Sequence, residues 1–173
     1  MAEQILNSRN KALQMSYRIG KGEQRVLSFE PYKSSLLPLW QFRTPEIARK
    51  SSQALWERFE AYYEANDFVG MDMTRKFIQM GMSRAKRYAN HAGGRKYDKA
   101  TGRELEKSRT HKDHKDKLEA SNIFKAYWIK CKEHEGYLRK KEAFLKEQKA
   151  WDREHADGRA KKDKCFSQLI NED

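Results

Sequence analysis

Between Asp67 and Tyr97 the chain reads DFVGMDMTRKFIQMGMSRAKRYANHAGGRKY, and this stretch constrains the fold more than any other. At about 100° per residue, Asp72, Arg75, Lys76, Gln79, Ser83, Lys86, Arg87 and Asn90 fall in one sector about 120° wide. Met71, Phe77, Ile78, Met82, Ala85, Tyr88 and Ala89 take the opposite side, with Met73 and Met80 at its margin. A helix that is apolar over most of its circumference belongs at the centre of a fold. Its polar strip must then face solvent, a ligand or a partner, and five of the eight strip residues are Arg, Lys or Asp.

The flanking residues predict how this helix is framed. Thr44-Pro45-Glu46 is a helix start, with Thr as N-cap, Pro in the first turn and Glu against the macrodipole. Leu55, Trp56, Phe59, Tyr62 and Tyr63 continue it as an amphipathic helix to about Ala65. Asn66-Asp67 caps the central helix and Gly93-Gly94 ends it. Upstream, the glycines around Lys21 predict a turn between Tyr17–Ile19 and Arg25–Phe29, a small hairpin. Lys96–Lys117 has almost no apolar residues and reads as a mobile basic loop, with one helical turn near Glu104–Lys107. From Leu118 a long helix resumes, with Ala120, Phe124, Tyr127, Cys131, Leu138 and Leu145 on one stripe.

The expected fold is therefore mainly α: a compact helical domain with a small N-terminal β-hairpin or extended arm and a long charged C-terminal helix. The domain spans 1–150, divided into an arm (1–44), a central helix pair (45–95), the loop (96–117) and the long helix (118–150). A charged tail follows over 151–173, ending in the short apolar foot Cys165–Ile170.

The formal net charge of +12 is unevenly spread. Residues 46–66 carry three basic against four acidic residues, whereas 67–98 and 1–44 each carry seven against three. A positive field of this kind favours nucleic acid, phosphorylated ligands or an acidic protein surface, with plain solubility as the bland alternative. Cys131 and Cys165 match no metal spacing and read as reduced thiols. No apolar run approaches the roughly 18 residues of a membrane span, and the first residues lack the order of a signal peptide. The expected location is the cytoplasm, away from membranes.

Several stretches together resemble a known family. They are Tyr17-Arg-Ile-Gly-x-Gly-Glu23, Pro31-Tyr-Lys33, Leu37-Pro-x-Trp-x-Phe-x-Thr-Pro45, Asp67-Phe-Val-Gly-Met-Asp-Met-x-Arg-Lys-Phe-x-Gln-Met-Gly81 and Arg87-Tyr-Ala-Asn-His-x-Gly-Gly-Arg-Lys-Tyr97. The resemblance is to an uncharacterised family of small proteins from tailed bacteriophages, bacteria and some fungi, and this chain looks like a phage member. It covers roughly Met15 to Tyr97, with little contribution from Asp98 onward. It implies relatives, a phage source and a host-cell cytoplasmic setting, but no chemistry.

Candidate sites must come from the residues. Arg75, Lys76, Lys86 and Arg87, with Arg95 and Lys96 beyond the turn, can follow a polyanion along successive helical turns; the alternative is a solvated face. Arg84 projects outside the polar strip and needs a carboxylate, an aromatic face or a bound anion. His91 stands at the helix C-terminus before Gly93-Gly94, whose amides can form an anion nest, against a simple C-cap. Arg18 and Lys21 flank a glycine-rich turn that is neither a Walker loop nor a Rossmann fingerprint. Asp67 and Asp72 with Glu23 are a possible acid–base or Mg²⁺ set, though Asp67 is more simply an N-cap, and His111-x-x-His114 reads as surface. Tyr17, Tyr32, Trp40, Tyr88 and Tyr97, interleaved with basic residues, fit base stacking as well as core packing, with Trp40 and Tyr88 assigned to the core.

No metal site, cofactor, catalytic residue or reaction is legible. The leading expectation is a nucleic-acid-binding protein that engages phosphates through the central helix and the Gly-Gly-Arg-Lys turn. An enzyme or binding protein for a small phosphorylated ligand such as a nucleotide would gather Arg84, Arg87, Asp72 and Tyr97 in a closed pocket. A host-protein interaction factor would expose an apolar stripe on 120–145.

Overall fold

The computed structural model describes residues 10–20 and 23–169, with side chains through Ala156. Six α-helices occur among them: α1 (Lys11–Ser16), α2 (Tyr32–Leu36), α3 (Pro45–Glu64), α4 (Phe68–Asn90), α5 (His114–Glu133) and α6 (Glu135–Leu169). Short 3₁₀ turns follow α2 and α4, at Leu37–Leu39 and Ala92–Gly94. Helices α3, α4 and α5 pack mutually, and α2 and α6 each lie against α4.

The caps are where the sequence places them. Thr44 accepts a bond from the Ile47 amide at 3.2 Å, and Asp67 from the Gly70 amide at 2.9 Å. Asn66, in the left-handed region at φ 55°, turns the chain between α3 and α4. Asn tolerates that conformation through its short polar side chain.

Helix α4 is the core of the molecule. Residues 68–74 are buried without a break, and the helix emerges only over its last third. Its glycines allow this enclosure. A Cβ on Gly70 would lie 2.3 Å from the Tyr62 ring of α3, and one on Gly81 would lie 2.6 Å from the Phe124 ring of α5. Phe59, Phe77, Ile78, Met71, Met73 and Phe124 fill the space between.

Two expectations are corrected here. The N-terminal hairpin does not form: Tyr17–Gly20 runs without regular structure, and residues 24–28 turn back, with the Val26 and Leu27 amides bonded to the Glu23 carbonyl. Tyr17 and Val26 are each buried in the helical core, so the segment spends its apolar residues on helices and not on strand pairing. The single long helix of 118–150 is two helices, broken at His134, whose ψ of 110° leaves the helical region. The break shifts the inward stripe by one residue. Tyr137 and Phe144 face the core, while Leu138 and Leu145 are about half exposed. The apolar foot Cys165–Ile170 lies outside the described side chains.

Candidate functional site

The first half of the polar strip turns inward. Asp72 is wholly buried. Its carboxylate accepts the Tyr17 hydroxyl (2.7 Å), the Tyr137 hydroxyl (2.7 Å) and Arg75 Nε (2.8 Å), with Arg75 Nη2 at 2.7 Å. Burial and the adjacent Asp72 charge push both phenols above their ordinary titration range. Gln148 of α6 closes the same region by donating to the carbonyls of Met15 (3.0 Å) and Tyr17 (2.5 Å). One carboxylate thus ties the arm, α4 and α6 together. Lys76 is 7% exposed, and burial, followed by the nearby Arg75 charge, holds its pKa below the usual lysine value. The expected open basic face therefore begins beyond Gln79, because Arg75 is committed to Asp72 and Lys76 is covered.

Arg84 has an internal partner, and it comes from the turn before α2. Arg84 Nε and Nη2 donate to Glu23 Oε2 at 3.2 and 2.8 Å, and the guanidinium lies 5.0 Å from the Trp40 ring centre. Arg18 donates to the Met15 carbonyl and to Asp152 of α6. Lys21 lies outside the described residues. The three carboxylates read as a possible set have separate partners: Glu23 takes Arg84, Asp72 takes the tyrosines and Arg75, and Asp67 takes the Tyr32 hydroxyl at 2.7 Å. Among the described residues Asp72, Arg84 and Arg87 likewise bond separate groups: the tyrosines and Arg75, Glu23, and the Gly94 carbonyl. Tyr17 and Tyr32 are core residues, whereas Tyr88, assigned from sequence to the core, is 36% exposed and Tyr97 is 51% exposed.

The C-terminal end of α4 is built differently. Arg87 Nε grips the Gly94 carbonyl at 2.6 Å, and Gly94 sits so close to the Tyr88 ring that a Cβ there would lie 2.7 Å from it. Gly93 and Gly94 both have positive φ, 66° and 71°, which glycine adopts freely. The segment read as a mobile loop is folded against this turn. Tyr97 and Glu104 pair as an antiparallel bridge, closed by Asp98, whose Oδ1 accepts the Ala100 and Thr101 amides and the Thr101 hydroxyl. Ser108 N bonds the Asn90 carbonyl at 2.8 Å. His111 Nε2 and His114 Nδ1 both donate to the Ala89 carbonyl, at 2.9 and 2.7 Å. These two histidines, read from sequence as surface, satisfy the last turn of α4 from outside. Their spacing of three was the visible signal, and its purpose required knowing where Ala89 lies.

Around that end stand Lys86, Arg87, Arg95, Lys99, Arg103, Lys107, Arg109, Lys112 and Lys115, all exposed. Of the basic residues there, Lys96 alone has an ion pair among the described residues, to Glu104 at 3.7 Å. Lys96 lies over the Tyr97 ring (5.2 Å) and Lys117 over the Tyr88 ring (5.4 Å). An open cleft of about 440 Å³ between the glycine turn and residues 105–108 is lined by His91, Gly93, Arg95, Leu105, Glu106 and Ser108. His91 is 4% exposed, and its buried Nδ1 has no partner among the described residues.

These features define a helical domain with an enclosed central helix and a basic, tyrosine-bearing end. The chain belongs to the family described as Domain of unknown function (DUF4385), which it matches over residues 2–147. The match thus extends well past Tyr97, through α5 and into α6. No curated protein and no solved structure shows significant similarity to it. Among the described residues no helix is long and apolar enough to cross a membrane.

Proposed function

We propose that this is a phage nucleic-acid-binding protein that acts in the host-cell cytoplasm. It engages phosphates through the exposed end of α4, the Gly93-Gly94-Arg95-Lys96 turn and the segment folded on it. The phage setting rests on the resemblance of residues 15–97. The binding reading is carried by one observation, the concentration of exposed cations without acidic partners at one end of the molecule. Residues 86–115 hold ten Lys and Arg against four Asp and Glu, a net +6, half of the charge of the whole chain. Cations grouped this way raise the local potential and displace counterions from a polyanion. Tyr97, half exposed and beside Lys96, offers a face on which a base can stack.

The test is binding of labelled oligonucleotides by fluorescence anisotropy between about 50 and 200 mM salt. Affinity is expected to fall steeply with salt. Lys86→Ala with Arg95→Ala, two exposed substitutions, should flatten the slope of log affinity against log salt by up to ~2 on duplex DNA. Affinity that ignores salt, or an unchanged slope in this variant, would overturn the proposal.

A further inference from the structure

We propose that the His91 cleft receives one unpaired nucleobase, so that this protein prefers single-stranded to duplex nucleic acid; the inference rests on the polyanion reading above. The cleft differs in character from the surface around it. Its lining joins Arg95 to Glu106, which has no ion pair among the described residues, to Ser108 and to the apolar Leu105. A carboxylate inside the cleft repels a phosphate there, whereas it accepts hydrogen bonds from the amino or imino N–H of a base. Leu105 supplies the apolar contact that a base face needs. His91, only 4% exposed, closes the cleft at the end of α4. Phosphates on the surrounding cations and a base inside the cleft thus satisfy both sets of groups at once. A base within a duplex is stacked and paired, so only an unpaired one can enter.

Three ligands of equal length separate the outcomes: a single strand, the same strand with abasic sites throughout its centre, and the duplex. With the unmodified protein at fixed salt, the intact single strand should bind at least about fivefold more tightly than either of the others. Glu106→Ala, an exposed change with little effect on folding, should lower the ratio of intact-strand to abasic-strand affinity. An abasic strand that binds as tightly as the intact one would overturn the inference. So would Glu106→Ala tightening both strands equally, with their ratio unchanged, the outcome for a cleft that holds phosphate. In either case salt-dependent binding would still stand, and with it the polyanion reading. No salt-dependent binding to any of the three would overturn both.

Discussion

Removing the Asp72 carboxylate should cost more stability than any other single side-chain truncation on the polar strip. In Asp72→Ala the Arg75 guanidinium, only 11% exposed, keeps its charge and loses the group that compensates it. Breaking a buried pair in this way costs about 3–5 kcal/mol. Two tyrosine hydroxyls lose their acceptor as well. Summing three charge-assisted bonds at ~1.5–3 kcal/mol each would overshoot, because the bonds share one acceptor and their losses do not add. The figure of about 3–5 kcal/mol therefore stands for the site as a whole. In a protein of this size each kcal/mol moves the midpoint by roughly 2–4 °C, so Tm should fall by about 6–20 °C. Urea unfolding should show a lower midpoint with an unchanged slope. Tyr17→Phe and Tyr137→Phe should each cost about 1.5–3 kcal/mol, and the double variant should differ from their sum, since it leaves Arg75 as the remaining donor to Asp72. A loss below about 1 kcal/mol in Asp72→Ala would refute the account of this carboxylate as the joint between arm, α4 and α6.

Further outcomes follow from the same contacts. Tyr17 and Tyr137 titrate above 10 in the folded chain, and Cys131, fully enclosed, is pushed up by burial to about 12 from 9.0. Their contribution is complete below the unfolded values and is lost from about pH 9 for the thiol and about 10 for the phenols, so urea midpoints should decline above about pH 10.5. The slope is about 1.4 kcal/mol per pH unit for each such proton. Lys76 and Lys117, held low by burial, act in the opposite sense only up to about 10.5, and stability that rises through pH 11 would contradict this. Gly81→Ala should destabilise by about 1–3 kcal/mol through the Phe124 ring, and thermal melting at wild-type temperature would refute so close a contact. Arg84→Met removes a pair about one-third exposed and should cost about 1 kcal/mol or less by urea titration; a loss several times larger would mean that Glu23 and Trp40 do more than a surface pair.

What could be read from the sequence was local. The start of α3 at Thr44-Pro45, the Asp67 cap and the Gly93-Gly94 ending are each decided within a few residues of themselves. The enclosure of α4 follows from its own periodicity. The destination of its polar strip does not, since the partners of Asp72 lie 55 and 65 positions away along the chain. The break at His134 had one hint, Gly136, which packs with no room for a Cβ against the Tyr63 ring. Without that break the stripe of α5 runs on through Leu138 and Leu145, one residue out of phase with Tyr137 and Phe144. Residues 24–28 do turn, but a turn signal does not say whether its arms pair or bury separately. At the candidate site, Lys86 and the Gly-Gly-Arg-Lys turn were visible as charge. The contribution of His111 and His114 was not, because it depends on a backbone carbonyl of another element.

The long reach of the Asp72 bonds also dictates an order of events during synthesis. A ribosome adds about 5–20 residues per second, so the 65 positions between Asp72 and Tyr137 represent about 3–13 s of translation. Until α5 has been made the apolar flanks of α4 lack their cover, and through the whole interval its carboxylate lacks the Tyr137 hydroxyl. The growing chain in that window is a natural client for chaperones. A ribosome stalled before Tyr137 would leave behind a fragment rich in sticky surface, marked for proteolysis by the incompleteness of its centre.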